Sequence, residues 1–254
     1  LKNLLKTADL INALENPDAY SESFFSVDRS DIQPRLEGTP ESRPYLVGGL
    51  LPEGVAGLLT GQGAIGKTTL AMQLGAAVAT GTKFLGQPCK KGSVLMYLSE
   101  DDDCEMNTRL HRIKESLETE HQDELIKNLR TFTSPLIHLP MFDYDPAGRR
   151  PGVTPHFANL WAAAHSLQDL RLIVIDSYTR VNNLDEVNHA NASYVAFCLE
   201  MLARATGATV LMIHHPPKHG NNEPNGSGTT QTALAWTANL DRRQKKKTTT
   251  RDPH

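Results

Sequence analysis

The sequence predicts an α/β protein in which helices flank both faces of a mostly parallel, twisted sheet. Short apolar segments alternate with segments of helical periodicity along most of the chain, a pattern typical of strands joined by helical crossovers. The apolar segments are continuous, as expected of strands that are buried on both faces. At 254 residues with 39% hydrophobic side chains, the chain is long enough to bury a substantial core.

Three parts of different character divide the chain. Residues 1–44 combine a leucine-rich helical stripe at 1–16 with a polar, proline-punctuated stretch, and they are interpreted as an N-terminal helix and linker arm. Residues 45–243 carry the alternating pattern and are predicted to form the core domain. Residues 244–254 are interpreted as a basic tail.

Five apolar segments are predicted to be core strands, and segments of 3.6-residue periodicity separate most of them. The predicted strands are residues 55–60, 94–100, 129–135, 170–176 and 209–215, and the predicted helices are residues 67–80, 104–128, 156–169 and 188–206. Residues 140–155 and 215–230 are too long and polar for ordinary connections, so we expect them to be functional or disordered.

Composition excludes some classes of protein and leaves others open. With a net charge of −3, the protein has no overall positive charge that would attract nucleic acid. A local basic strip is still compatible with this charge. Cys89, Cys104 and Cys198 are far apart and outside any CxxC spacing, which favours free thiols in the reducing cytoplasm. No apolar run reaches the roughly 18 residues of a membrane span, so no membrane partner is expected.

A glycine-rich segment lies between the first predicted strand and the first predicted helix. Gly61, Gly66, Lys67 and Thr68 have the GxxxxGK[ST] spacing of a phosphate-binding loop. Glycines allow consecutive N–H groups to surround an anion, and the helix N-terminus adds about half a positive charge. The alternative is a turn that only opens a helix, but the strand–loop–helix context favours a nucleotide site. The residues expected to bind ATP are Gly61, Gly63, Ala64, Ile65, Gly66, Lys67, Thr68 and Thr69.

Two acidic residues at the ends of predicted strands complete a triphosphate site. Asp176 ends the fourth predicted strand and is expected to bind Mg²⁺ together with the hydroxyl of Thr68. Glu100 ends the second predicted strand and is the candidate for polarising the attacking water. Structural roles are the alternatives. Asp176 could simply mark a strand end, and Glu100 could belong, with residues 101–103, to an acidic first turn of the next helix.

His214 and His215 end the last predicted strand. Because side chains alternate along a strand, one of the two should face the ligand edge of the sheet and the other should face away. A histidine there could sense the γ-phosphate, and His215 is the preferred candidate. A histidine satisfied in the core is the alternative, whereas a metal pair is not favoured, because no cysteine or third histidine with ligand spacing is nearby.

Four segments together resemble the RecA-like P-loop ATPases, and most closely the RepA-type hexameric replicative helicases of plasmids. They are GQGAIGKTTLAMQLG from Gly61, GSVLMYLSEDD from Gly92, LRLIVIDSYTR from Leu170 and TGATVLMIHHPPKHG from Thr206, and the likeness runs over residues 45–243. This resemblance implies a RecA-like fold and the hydrolysis of ATP with Mg²⁺. By motif match it implies catalytic roles for Lys67, Glu100 and His215.

The same resemblance implies partners. Self-assembly into a ring, as a hexamer, and binding to single-stranded DNA are expected, and a replication initiator or primase is a further candidate partner. Arg180 follows Asp176 where the family has an arginine, whereas Asn225 and Ala235 occupy two other family arginine positions. The usual arginine finger for a neighbouring subunit is therefore missing from those positions, and Arg242 or Arg243 is the alternative source of it.

DNA contact is expected from loops and from basic residues. The candidate residues are Arg180, Lys218, Arg242 and Arg243. For the cluster that contains Arg242 and Arg243, a solvated tail is an equally good interpretation.

Three activities remain open on the sequence alone. The preferred one is a ring-forming motor that couples ATP hydrolysis to movement on single-stranded DNA during replication of a plasmid, phage or mobile element. The second is a regulatory or recombination ATPase that responds to DNA without unwinding it. The third is a small-molecule kinase, against which Glu100 and the strand-terminal His215 argue.

Overall fold

The computed structural model describes residues 32, 36–39, 42–100, 102–133, 139–148, 150–215 and 236–240. Within these residues the predicted α/β architecture is confirmed, because helices cover both faces of one six-stranded sheet. All neighbouring strands of that sheet run parallel. The predicted helix at 1–16, the loop residues 216–230 and the basic tail at 244–254 lie outside the described residues.

The elements follow one another in the order expected of helical crossovers. They are β1 (Tyr45–Val47), β2 (Leu51–Pro52), β3 (Ala56–Gly61), α1 (Lys67–Thr80), β4 (Lys83–Phe84), β5 (Gln87–Pro88), β6 (Ser93–Leu98), α2 (Asp103–Glu115), α3 (Thr119–Asn128), β7 (Leu129–Thr133), β8 (Phe142–Tyr144), β9 (Pro151–Val153), α4 (Pro155–Ser166), β10 (Leu170–Asp176), α5 (Tyr178–Val181), α6 (His189–Thr206), β11 (Thr209–His214) and β12 (Trp236–Leu240).

The order of strands across the main sheet is β12-β3-β11-β10-β6-β7. All five predicted core strands are present in it, and β7 forms one edge. The other edge is β12, which is not among the predicted strands and pairs with β3. Three antiparallel pairs, β1-β2, β4-β5 and β8-β9, lie outside this sheet.

The prediction of one helix over residues 104–128 is wrong, because the structure has α2 and α3 with a break between them. Side chains at the break bond the carbonyl groups that a continuous helix would use. Ser116 Oγ donates to Ile113 O at 2.7 Å, and Gln122 Nε2 donates to Leu117 O at 3.1 Å. Such local bonds offer the backbone an alternative to the helix.

The predicted loop at residues 140–155 contains the hairpin β8-β9, which packs against the segment that follows α5. Tyr144 is the centre of this contact. Its hydroxyl oxygen accepts from Asn191 Nδ2 at 2.8 Å and from Asp185 N at 3.3 Å. Asn183 Nδ2 also donates to Asp143 Oδ2 at 2.9 Å. The hairpin therefore holds residues 182–188, which we call the α5–α6 loop.

Each face of the sheet has its own apolar core, because side chains alternate along every strand. On one face, Leu95 and Ile173 pack with residues of α4 and α6. On the other face, Met96 and Val174 pack with residues of α1, α2 and α3. Helix α1 lies close against β6, since a Cβ added at Gly75 would come within 2.9 Å of Met96 Sδ. This packing fixes the start of α1 relative to the strand ends.

The strand register brings four strand ends to one level. One row of neighbouring residues crosses the central strands, and it consists of Leu59, Ile213, Asp176 and Leu98. The predicted site residues Gly61, His215 and Glu100 lie two positions after Leu59, Ile213 and Leu98, respectively. Parallel strands all point to the same edge, and ligands of open α/β sheets bind at that carboxyl edge. The register therefore assembles the candidate site.

An ion-pair cluster joins several elements at the opposite, amino edge of the sheet. Glu53 is 13% exposed at its side chain and pairs with Arg171 of β10 at 2.6 Å and with Lys90. Arg171 also pairs with Asp169 at 2.7 Å. Burial raises the pKa of Glu53, but the hydrogen bonds from Lys90 and Arg171 together lower it below its ordinary value.

Replacing Glu53 by Gln should destabilise the fold by about 2 kcal/mol at neutral pH, because hydrogen bonds to charged groups are lost. The lowered pKa means that this contribution is complete above the ordinary value of 4.5 and is lost as the pH falls through the folded-state value. Urea unfolding at pH 7 and at acidic pH measures the difference. Glu115→Gln, at an exposed glutamate of α2, is the control. A Glu53→Gln effect that does not shrink in acid would contradict the assignment.

Candidate active site

The phosphate loop turns the chain from β3 into α1 with two residues in the left-handed region. Gly66 has φ 99° and Ala64 has φ 58°. Glycine adopts this conformation freely, whereas for alanine it costs about 1 kcal/mol. The loop at residues 62–66 is largely exposed, so its backbone is open to a ligand.

Helix α1 begins at Lys67 with no side-chain cap and with no acidic residue in its first turn. Its first N–H groups lack intrahelical acceptors, and the helix dipole adds partial positive charge there. By contrast, Asp102 caps α2 by accepting from Glu105 N at 2.8 Å. The helix-capping interpretation is therefore confirmed for Asp102. The amino end of α1 has neither a side-chain cap nor an acidic first turn, so it is suited to a phosphate.

Lys67 is 2% exposed and folds back over its own loop. Its Nζ donates to Gly61 O at 2.6 Å and to Gln62 O at 2.8 Å. Burial lowers the pKa of Lys67 below its ordinary value, and the charges of Asp176 and Glu100 oppose this change in part. A phosphate bound in the loop would replace the two carbonyl oxygens as the partner of this ammonium group.

Thr68 and Asp176 meet across the site, as two ligands of one ion should. Thr68 Oγ1 donates to Asp176 Oδ2 at 2.6 Å, and Asp176 is only 1% exposed. Hydroxyl and carboxylate oxygens are ligands that Mg²⁺ accepts together with phosphate oxygens. These residues therefore fit the predicted ion, and Thr68 and Asp176 would hold it.

Glu100 leaves the end of β6 at the same edge, and two neighbours orient its carboxylate. Ser177 Oγ donates to Oε1, and His215 Nε2 lies 3.4 Å from Oε2. The contact with His215 is the largest influence and lowers the pKa of Glu100 to about 2, burial opposes this change, and Ser177 and Arg180 assist it. Glu100 is thus ionised near neutral pH, so its carboxylate can accept a hydrogen bond from water and polarise it.

Ser99 and Ser177 are not among the predicted site residues, yet they join the ends of β6 and β10. Ser99 Oγ donates to Asp176 O at 2.6 Å, and Ser177 N donates to Ser99 Oγ at 3.1 Å. Both serines follow a strand end directly, which is the one signal in the sequence that could have indicated them. They position Asp176 and Glu100 relative to each other.

The two histidines at the end of β11 face different partners, as strand alternation predicts. His215 Nε2 lies 3.4 Å from Glu100 and 4.0 Å from Asp176 Oδ1. His214 is fully buried, packs edge-on against Tyr178 with 5.3 Å between ring centroids, and places Nε2 3.4 Å from Glu186 Oε2. Glu186 belongs to the α5–α6 loop. Neighbouring residues of one strand therefore contact the phosphate site and that loop.

A cleft of about 600 Å³ lies between α1, α2 and β4, and Thr69 in the first turn of α1 is part of its wall. Arg109 of α2 lies at its wall, donating from Nη1 to Thr69 Oγ1 at 3.1 Å and from Nε to Glu105 Oε1 at 3.0 Å. Arg109 is not among the predicted site residues. Its i,i+4 spacing from Glu105 indicates only a helix face, and the contact with Thr69 depends on how α2 packs on α1.

The comparison with known families agrees with this geometry. A family model described as an AAA domain matches residues 26–221, which is most of the chain. The chain belongs to this AAA domain family. It is therefore a P-loop ATPase with a nucleotide-binding α/β core, and the predicted RecA-like P-loop fold is confirmed. The closer likeness to RepA-type helicases stays a prediction, as do the domain bounds at residues 44 and 243.

In this AAA domain the structure brings together the predicted residues Lys67, Thr68, Glu100, Asp176 and His215. Their individual roles stay predictions. Of the candidate DNA-binding residues, Arg180 is exposed on α5 and near enough to Glu100 to affect its pKa. Lys218, Arg242 and Arg243 lie outside the described residues, as do Asn225 and Ala235.

No helix within the described residues of the AAA domain combines the length and the apolarity needed to cross a membrane.

Replacing Lys67 by Ala should reduce ATP affinity at least about tenfold, because the phosphate site loses its buried cation. Titration of a fluorescent ATP analogue measures the change, and circular dichroism checks that the fold is retained. Lys114→Ala, at an exposed lysine of α2, is the matched control and should bind like the wild type. Equal ATP affinity of the wild type and Lys67→Ala would show that the phosphate loop does not form the ATP site.

Proposed function

We propose that this ATPase is a ring-forming motor of the RecA-like, RepA-type class that acts on single-stranded DNA during replication of a plasmid, phage or mobile element. The observation that carries the proposal is the pair of contacts made by His215 and His214. One histidine lies against Glu100 and Asp176, and the next lies against Glu186 of the α5–α6 loop. A motor needs such a connection between the state of the nucleotide and the surface that binds DNA.

The chain's own residues account for ATP hydrolysis. The N–H groups of the loop and Lys67 bind and orient the phosphates. Glu100, ionised and oriented by Ser177, accepts a hydrogen bond from the attacking water and polarises it. Mg²⁺, when bound with the nucleotide at Thr68 and Asp176, neutralises charge on the phosphate oxygens.

Loss of the γ-phosphate would change the surroundings of Glu100 and His215 first. Because His214 directly precedes His215 in the chain, a displacement of the end of β11 also moves the contact with Glu186. The α5–α6 loop, with Arg180 just before it, is thereby a candidate DNA-facing segment that responds to hydrolysis. A kinase acting on a small molecule has no need of this second contact.

The central test is ATP turnover with and without a single-stranded DNA oligonucleotide. We expect stimulation by DNA, assembly in the presence of ATP and Mg²⁺ by light scattering, and DNA affinity that falls with salt by about 0.7 logarithmic units per phosphate contact. Glu100→Gln should bind ATP but lose about 10²- to 10⁴-fold in turnover, with Glu118→Gln as the control.

Other outcomes of this test assign other functions. DNA-stimulated turnover without separation of a DNA duplex would support the regulatory or recombination ATPase. Turnover that ignores DNA and requires a soluble phosphate acceptor would support a kinase and would overturn the motor.

Glu186→Gln tests the route to the α5–α6 loop separately. We expect DNA-independent turnover to be retained and DNA stimulation to fall at least about threefold, because the variant keeps the size of the side chain and removes the charge facing His214. Val187→Ala, at a 70% exposed neighbour in the same loop, is the matched control. Unchanged stimulation in Glu186→Gln would exclude this contact as the route.

A further inference from the structure

Glu100, Asp176 and His215 form a cluster in which each residue offers one ligand atom, and these three atoms all lie within 4.8 Å of one another. We propose that the nucleotide-free protein binds one divalent transition-metal ion, such as Zn²⁺, at these three side chains. This site is distinct from the Mg²⁺ position expected at Thr68, although both use Asp176.

The distances suit a single ion. Bonds of about 2.0–2.2 Å to histidine nitrogen and carboxylate oxygen place neighbouring ligand atoms about 3 to 4 Å apart. His215 Nε2 lies 3.4 Å from Glu100 Oε2 and 4.0 Å from Asp176 Oδ1. The ligand oxygens of Glu100 and Asp176 lie within 4.8 Å of each other, so side-chain rotations that bring these two closer would place all three atoms around one ion.

The outer contacts hold both carboxylates in the orientation that such a site needs. Ser177 Oγ donates to Glu100 Oε1, while Oε2 is the oxygen near His215. Thr68 Oγ1 donates to Asp176 Oδ2, while Oδ1 is the oxygen near His215. In each acid, one oxygen is fixed by a hydroxyl donor and the other faces the imidazole. Hydrogen-bonded carboxylates of this kind are typical of metal ligands.

The ligand types select the class of ion. Mg²⁺ and Ca²⁺ prefer oxygen ligands alone, whereas imidazole together with carboxylates suits Zn²⁺ and its first-row neighbours. The sequence argues against a metal site built from histidines or cysteines. The proposed site is different, because the other two ligands are carboxylates from the ends of other strands. An ion here would occupy the carboxylate of Glu100 and so prevent it from polarising water.

Zn²⁺ binding to the tag-free full chain, without nucleotide or DNA, tests the site by isothermal titration calorimetry. We expect the wild type to bind Zn²⁺ and His215→Asn to bind it at least about tenfold more weakly. The matched control is His121→Asn, since His121, with the exposed Glu118 and Glu120, forms the other cluster of possible metal ligands among the described residues. This control should retain the affinity of the wild type.

Two further measurements keep the result decisive. Glu100→Gln, at an exposed residue, should also weaken Zn²⁺ binding, which covers the case in which His215→Asn fails to fold. Zn²⁺ should raise the melting temperature of the wild type and not that of Glu100→Gln. Equal Zn²⁺ affinity in the wild type and in either variant of the cluster would overturn the proposal. Because no nucleotide or DNA is present, the outcome is independent of the proposed motor function.

Discussion

The alignment of four parallel strands is the constraint on which the site depends. Asp176 is level with Leu98 of β6 on one side and with Ile213 of β11 on the other. A shift of β10 by one residue would turn Asp176 to the opposite face of the sheet, away from Thr68. The hydrogen bonds between Ser99, Asp176 and Ser177 lie directly beyond this row and oppose such a shift.

Burial and charge are balanced inside the site before any nucleotide is bound. Lys67 and Asp176 are nearly inaccessible, and an isolated charge at such depth would be costly. Two loop carbonyls satisfy Lys67, and the Thr68 hydroxyl satisfies part of Asp176. A nucleotide that binds here must replace the present hydrogen-bond partners of Lys67 and Asp176. Its affinity therefore reflects the difference in free energy between the hydrogen bonds that it forms and those that it displaces.

The parts of the site that depend on local pattern could be predicted from the sequence. The phosphate loop is a fixed spacing between a strand and a helix, and Asp176, Glu100 and His215 each end an apolar run. The contacts of Ser99 with Ser177 and of Arg109 with Thr69 join residues far apart in the chain, so no local pattern contains them. The break between α2 and α3 was equally hidden, because it has neither glycine nor proline.

The hairpin β8-β9 gives the α5–α6 loop a second anchor. Tyr144 holds Asp185 and Asn191 from the hairpin, while His214 reaches Glu186 from the sheet. The position of the loop is thus set jointly by an insertion and by the strand next to the nucleotide. A change in the length or sequence of the hairpin would alter the position of the α5–α6 loop and leave every phosphate-binding residue unchanged. Partner binding by this loop is thereby structurally separate from the chemistry of hydrolysis.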